Sequence, residues 1–246
     1  MTSNYAYDAI YELTGVTQGT NTTESYSYDP VGNRLSSLGV ASYTNNISNE
    51  LTATSNATYT YDANGNTLTK IDSSGTTTYA WDFENRLTSV TLPGTGGTVS
   101  LKYDPFGRRI YKSSSFGTSV YAYDEDENLV EETNSAGTSV VRYAQGLDID
   151  EPLAILRSSA TNYYEADAVH SITSLSNSAG TLAQTYAYDS FGRLTGSSGS
   201  LVNSFEYTAR EFDTETNLYY YRASEYDQSI GRFLRWSILT RGPYGI

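Results

Sequence analysis

Apolar and polar positions alternate along this chain in short runs, and each run stops at turn-forming residues. The clearest stretch is Tyr26-Ser27-Tyr28-Asp29-Pro30-Val31-Gly32-Asn33-Arg34-Leu35. Tyrosines two positions apart share one face of a strand, and aromatic and β-branched residues favour that pleated surface. Asp29 can bond its own backbone at the start of a turn, Pro30 presets φ for the next position, and Gly32 supplies the positive φ that ends it. Leu35 then starts a return strand. The pattern predicts a β-hairpin, and no long apolar helical period competes with it.

The same hairpin recurs from the first ten residues almost to the last. Its copies are Tyr7-Asp8, Tyr28-Asp29, Tyr61-Asp62, Trp81-Asp82, Tyr103-Asp104, Tyr123-Asp124 and Tyr188-Asp189, with Tyr226-Asp227 as a terminal variant. Gly32, Gly65, Gly107, Gly192 and Gly231 close the turns, and the residues between vary as only a turn tolerates, for example Pro-Phe-Gly-Arg at 105–108 and Ser-Phe-Gly-Arg at 190–193. Degenerate copies at Tyr43-Thr44, Arg142-Tyr143-Ala144, Ala166-Asp167 and Tyr207-Thr208 fill the gaps, so the chain reads as about eleven units. Asp72 to Gly75, Asn134 to Gly137 and Asn177 to Gly180 supply the turn between one unit and the next. A single hairpin is marginal in water, so each unit must pair its edge with the next. The expectation is an all-β fold of repeated antiparallel hairpins in one continuous sheet.

Composition narrows the function classes. The 246 residues include 24 tyrosines and 20 glycines, carry a net charge of −13 and contain no cysteine. A nucleic-acid surface needs clustered Lys and Arg, so no nucleic-acid partner is expected. Disulfide scaffolds and thiolate metal sites are excluded. No run of 18 apolar residues exists and Met1-Thr2-Ser3-Asn4-Tyr5 has neither the positive nor the apolar segment of a signal peptide, so no membrane span and no signal of the chain's own are expected.

Candidate chemistry is sparse. Any Ser-His-Asp site must use the single histidine, His170, whose neighbours Asp167 and Ser171 lie too close in sequence for triad geometry on a strand. A loop histidine is the simpler reading. Most aspartates are already explained as turn residues, which leaves little for a carboxylate pair. Asp124-Glu125-Asp126-Glu127-Asn128 begins like a calcium loop, but Leu129 and Ser135 stand where such a loop needs Gly and Glu, so an acidic hairpin tip with Glu127 in the glycine position is expected. Gly94-Thr95-Gly96-Gly97 lacks the lysine of a phosphate loop and reads as a turn. Neither a cofactor nor a metal is expected. Tyrosine rows can stack on sugars, but core packing is the stronger reading; Trp81 takes the Tyr position of its repeat, and Trp236 lies in a locally basic tail with Arg232, Arg235 and Arg241.

These units resemble the YD repeats of the Rhs family, which includes bacterial polymorphic toxins, insecticidal toxin-complex shells and animal teneurins. The most specific matches are Asp150-Glu151-Pro152-Leu153-Ala154, the segment from Tyr164 to Leu175, Phe205 to Asp213 with Leu218 to Ala223, and Tyr226-Asp227-Gln228-Ser229-Ile230-Gly231-Arg232-Phe233-Leu234. The resemblance implies a repeat array over 1–145, a core-like region over 146–234 that continues the sheet, and a divergent tail over 235–246 that could dock as a plug. It implies a sheet that spirals into a hollow shell or part of one. It also implies a non-catalytic structural role: encapsulating or protecting a polypeptide cargo within an Rhs-type toxin or delivery system, secreted or held at the cell surface as part of a larger assembly. A second shell-forming chain or a homo-oligomer would fit the same role. The alternatives are a recognition module that binds a glycan or a cell-surface protein, and residual aspartyl autoproteolysis near Asp227. Against the last, Gln228 follows Asp227 where the family has proline, Val169-His170 replaces Leu-Gly, and the stretch after Phe233 lacks an Asp-Pro pair. Neither self-cleavage nor an attached toxin domain is expected.

Overall fold

The structure is a computed structural model that describes residues 2–235. One turn shows how the repeat folds. The Asp104 N–H donates to the Arg108 carbonyl at 2.9 Å and the Gly107 N–H to the Asp104 carbonyl at 3.0 Å. Asp104 Oδ1 accepts from the N–H groups of Phe106 and Arg108, both at 2.9 Å, while Oδ2 accepts from Arg108 Nε at 2.7 Å. Gly107 has φ +86°, a left-handed conformation that an L side chain resists. The residue four after the aspartate thus has a role of its own, because its side chain occupies the second carboxylate oxygen. Asn33 and Asn66 fill it for Asp29 and Asp62, and Arg86 and Arg193 for Asp82 and Asp189. Just before the turns at Asp29, Asp62, Asp104, Asp124 and Asp189 the strand pairing shifts by one residue, at Tyr28, Tyr61, Tyr103, Tyr123 and Tyr188. The resulting bulge re-aims the tyrosine.

That tyrosine fastens one unit to the previous one. The hydroxyls of Tyr61, Tyr103 and Tyr123 donate to the carbonyls of Leu51, Leu87 and Arg109, each the first residue of the preceding return strand, at 2.8, 2.8 and 2.7 Å. Gln145 Nε2 makes the equivalent bond to the Leu129 carbonyl at 2.6 Å where a copy lacks its tyrosine.

The chain divides into two compact units, residues 1–78 and 79–246. In the first, Ser3–Tyr7, Leu13–Gln18, Asn21–Tyr28 and Arg34–Ser37 form a four-stranded antiparallel sheet of their own. The next sixteen strands, from Tyr43–Asn45 to Leu194–Gly199, follow one another in chain order in a long antiparallel sheet. Beyond Gly199 the repeat pairing stops. In the second unit Glu211–Asp213, Leu218–Tyr220, Glu225–Asp227 and Arg232–Phe233 make a separate four-stranded antiparallel sheet, hereafter the C-terminal sheet.

The segment after Gly199 covers one face of the second unit's long-sheet strands. Phe205 and Ala209 pack among Tyr121, Leu129, Val141, Tyr143, Ile155, Ile172 and Leu175, with the Tyr143 and Phe205 rings edge-on at 4.9 Å. Leu218 and Leu234 pack among Tyr79, Leu87, Val90, Val99 and Leu101, and Trp81 lies half-buried against this cluster. Strand alternation dictates this arrangement, since inward residues on neighbouring strands make one apolar surface that must be covered.

Candidate functional site

The turn residues predicted from the sequence are spread along successive hairpins, and most are engaged in their own turns. Gly32, Gly65, Gly192 and Gly231 have φ of +86°, +79°, +85° and +67°. Asp124 caps its turn through Asp126 and Asn128, with Glu127 at φ +64° in the glycine position. His170 takes the same position in the Asp167 turn, exposed and at φ +63°. Asp227 is buried, and its Oδ1 accepts from the Ser229 N–H and hydroxyl. Trp236, Arg241 and the rest of the tail from 236 on lie outside the described residues.

A subset of these residues converges where the C-terminal sheet sits on the long sheet, around Arg109. This residue opens the strand Arg109–Ser114, five positions after the turn aspartate, where other copies place Leu87, Leu129 and Ile172 in the core. Its side chain is therefore driven inward, and it is 0 % exposed. Burying a charge is costly unless it is paired and hydrogen-bonded. Arg109 Nη1 bonds Asp213 Oδ2, and Nη2 meets Glu211 Oε2 at 2.9 Å. The guanidinium lies over the Tyr220 ring at 4.2 Å and near the Tyr121 ring at 5.3 Å. The Arg109 N–H donates to the Tyr220 hydroxyl at 3.0 Å. Beside it Lys112 Nζ meets Asp213 Oδ1 at 2.8 Å and Glu215 Oε2 at 3.1 Å. Burial alone would raise the Asp213 pKa, but the Arg109 and Lys112 charges outweigh it and hold the carboxyl below its usual range. For Glu211 burial wins over Arg109, and the pKa is raised.

Two further carboxyls lie between the layers without a salt bridge to any described residue. Glu225, 3 % exposed, lies 3.2 Å from the Tyr103 hydroxyl, whose hydrogen goes to the Leu87 carbonyl. Glu206, 7 % exposed, lies 3.4 Å from the Tyr219 hydroxyl, which is closer to the Gly192 carbonyl at 3.0 Å. Burial pushes both up to about 7; the Arg109 charge and the Tyr103 hydroxyl oppose the shift at Glu225, and the Tyr219 hydroxyl opposes it at Glu206.

The turn at 189–193 forms a second contact. The hydroxyls of Tyr207, Tyr219 and Tyr226 donate to the carbonyls of Ser190, Gly192 and Phe191, each at 3.0 Å. Asp150 ties in the rest, pairing with Arg210 at 2.5 Å and Arg222 at 3.0 Å. A cavity of about 370 Å³ opens beside Glu225, lined by Arg86, Tyr103, Arg108, Tyr220, Arg222 and Arg235 among others. Of the residues that carry this seat, sequence reasoning reached Tyr103, Tyr123, Tyr188, Gly192 and Tyr226 as repeat positions and missed Arg109, Glu206, Glu211, Asp213 and Glu225. The one available signal was a charged residue in the leucine slot of a repeat.

Tandem Tyr-Asp hairpins that fasten to one another through tyrosine hydroxyls, covered by a C-terminal sheet held on buried charges, define a YD-repeat shell-type fold. The chain matches the Teneurin YD-shell family over residues 1–239 and belongs to it. Among curated proteins it is similar to the tRNA nuclease WapA of Bacillus subtilis, 32% identical over 240 residues that cover 93% of this chain and 10% of that protein. A WapA nuclease of Bacillus spizizenii gives 31% over 242 residues, again 93% and 10%. Salivary gland surface protein 1 of Aedes aegypti gives 35% over 109 residues, 42% of this chain and 3% of that protein. The chain thus spans about a tenth of the length of its WapA relatives. Among solved structures, the TcdB2-TccC3 complex aligns over 95% of this chain and 17% of that one, with a TM-score of 0.51 at 17% identity, a likeness of fold alone.

Proposed function

We propose that this chain is a non-catalytic wall segment of an Rhs-type shell, exported as part of a larger assembly, and that with further repeats or a second shell-forming chain it encloses a polypeptide cargo. The observation that carries the reading is the seat itself. Chemically capable side chains in the second unit are committed to holding one layer on another, with Arg109, Lys112, Glu211 and Asp213 all paired between the long sheet and the C-terminal sheet. The nuclease activity in the names of the WapA proteins belongs to proteins some ten times longer. In this reading it resides outside the matched tenth, in keeping with a net charge of −13 and with a lone histidine in a turn.

Protease protection tests the proposal. A protease-sensitive reporter is fused behind the chain in its full-length natural context and exposed to proteinase K. Encapsulation predicts that the reporter outlasts the free reporter by an order of magnitude or more; equal digestion rates would sink the shell reading.

A recognition role is the second reading, favoured by exposed aromatics at the hairpin tips. Phe83 and Phe106 stand 91 % and 78 % exposed on the successive Asp82 and Asp104 turns. Exposed aromatics of this kind suit a protein or glycan surface. Binding to a glycan array that is lost in Phe83→Ser/Phe106→Ser would favour it.

A further inference from the structure

The seat of the C-terminal sheet holds more buried acid than it holds cations. Arg109 and Lys112 face Glu211, Asp213 and Glu215, and all three carboxylates are in salt bridges. Glu225 is a fourth carboxyl in the same layer and Glu206 a fifth nearby, and neither is in one with any described residue. We propose that Glu225 and Glu206 form a two-proton latch: with both carboxyls protonated the C-terminal sheet is held on the long sheet, and their ionisation loosens it.

Geometry supports this assignment at both ends. Each carboxyl meets a tyrosine hydroxyl from another element. Tyr103 on the strand Thr98–Tyr103 meets Glu225 on the C-terminal sheet at 3.2 Å, and Tyr219 on the C-terminal sheet meets Glu206 in the connecting segment at 3.4 Å. Around Glu225 the facing charged and titratable groups are Tyr103, Arg109, Asp213 and Tyr220, joined across the cavity by Arg86, Arg108, Arg222, Arg235, Glu84 and Glu127. Arg86, Arg108 and Arg222 are already engaged by Asp82, Asp104 and Asp150, the last shared with Arg210. Around Glu206 the facing titratable groups are Tyr186, Tyr188 and Tyr219. An ionised Glu206 would meet these hydroxyls and is in no salt bridge with a described residue. An ionised Glu225 would share Arg109 with two carboxylates already there. The cavity beside Glu225 gives protons a route in.

The direction follows from linkage. A carboxyl whose pKa is higher folded than unfolded binds more protons when folded, so its contribution is fully present below the unfolded value and is lost as pH rises through the folded one. With an ordinary value of 4.5 and a folded value of about 7 for both groups, the window is pH 4.5 to 7 and acid holds the latch shut. Each carboxyl shifts the seating equilibrium on the order of 10²-fold across it. The turn carboxylates act in the opposite sense and elsewhere. Burial works against Asp62, Asp82 and Asp104, but their hydrogen bonds hold them below 3.8, so they lose their contribution only in stronger acid. The inference concerns the seat alone and stands apart from the proposed shell role.

Hydrogen–deuterium exchange of the full chain at about pH 5 and about pH 8, corrected for intrinsic exchange rates, reads the latch directly. Peptides from 211–233 are expected to lose protection on the order of 10⁴-fold at the higher pH, the product of the two carboxyls' effects, while the strands around 152–177 keep theirs. The Glu206→Gln/Glu225→Gln variant, which mimics the protonated pair, is expected to hold the same protection at both. An equal loss in that variant, or none in the native chain, overturns the proposal. Should the variant fold poorly, the infrared band of protonated carboxylic acid in the native chain decides: its persistence up to about pH 7 supports the latch, and its disappearance by pH 5 overturns it.

Discussion

The repeat hairpins and the C-terminal sheet are held by opposite means. In a hairpin such as Asp104 to Arg108 the bonds that define the turn all fall within four residues, and the tyrosine that fastens it to its neighbour reaches back only 16 residues, from Tyr103 to Leu87. In the C-terminal sheet the decisive contacts join residues about a hundred positions apart, Arg109 with Glu211 and Asp213 and Lys112 with Asp213 and Glu215. A repeat array distributes its stability over many nearest-neighbour terms, so no single bond is critical. The C-terminal sheet is attached by fewer contacts between distant residues, and in its ionic cluster one side chain, Arg109, ties two carboxylates at once, so a single substitution weighs more there.

Arg109 breaks the comparison most sharply. Arg109→Met leaves Glu211 and Asp213 buried without their shared cation, and losing one partner of a buried pair costs about 3–5 kcal/mol. Arg142→Met removes an ion pair with Glu131 in which the arginine side chain is 63% exposed; exposed pairs are worth about 0–1 kcal/mol. Urea unfolding should show a much lower midpoint for the first variant and a nearly unchanged one for the second. Equal midpoints would mean that the ionic cluster does not hold the C-terminal sheet.

Two turns of almost the same sequence sharpen it. Gly107 and Gly192 have φ of +86° and +85°, so an alanine at either meets the same left-handed strain of about 1–2 kcal/mol. Around Gly107 a new Cβ meets nothing within 4 Å, whereas at Gly192 it would lie 2.4 Å from Cδ1 of Tyr207. Overpacking of that kind adds about 1–3 kcal/mol. Gly192→Ala should therefore lower Tm clearly more than Gly107→Ala, and a difference of zero would mean that the C-terminal segment does not rest on this turn.

What the sequence made legible follows the same division. The hairpins could be read because an Asp, a Gly and an Asn or Arg at fixed spacing make a turn without help from the rest of the chain. Even there the start of the return strand differs by one residue: Arg34 rather than Leu35 begins the strand Arg34–Ser37, with Arg34 8% and Leu35 43% exposed, and the Arg34 guanidinium lies 4.7 Å from the Tyr26 ring. The bulge at Tyr28 moves the register by one, and a single-residue shift exchanges the two faces of a strand. The separation of the C-terminal sheet was not legible, because Tyr226-Asp227 carries the same turn signal as the other copies while its partners lie on distant strands. Arg109 left a trace as a charge in a leucine slot. Glu206 and Glu225 left none, since only the fold shows that both stand among tyrosines away from solvent.

The smallest effect expected comes from the turn positions where the repeat lacks its glycine. Glu127 and His170 sit at φ +64° and +63°, and neither side chain completes its turn. Relief of left-handed strain should make Glu127→Gly more stable by about 1 kcal/mol. The weak Arg222 contact at 3.9 Å is given up, which offsets a few tenths, as an exposed pair does. His170→Gly should gain less, about 0.5 kcal/mol, because histidine enters the left-handed region more readily than glutamate. Thermal unfolding of both variants checks the ranking. A stabilised His170→Gly chain keeps the histidine among turn residues; a destabilised one would show that the imidazole makes a contact the turn depends on, and it would then be the first side chain to test for chemistry.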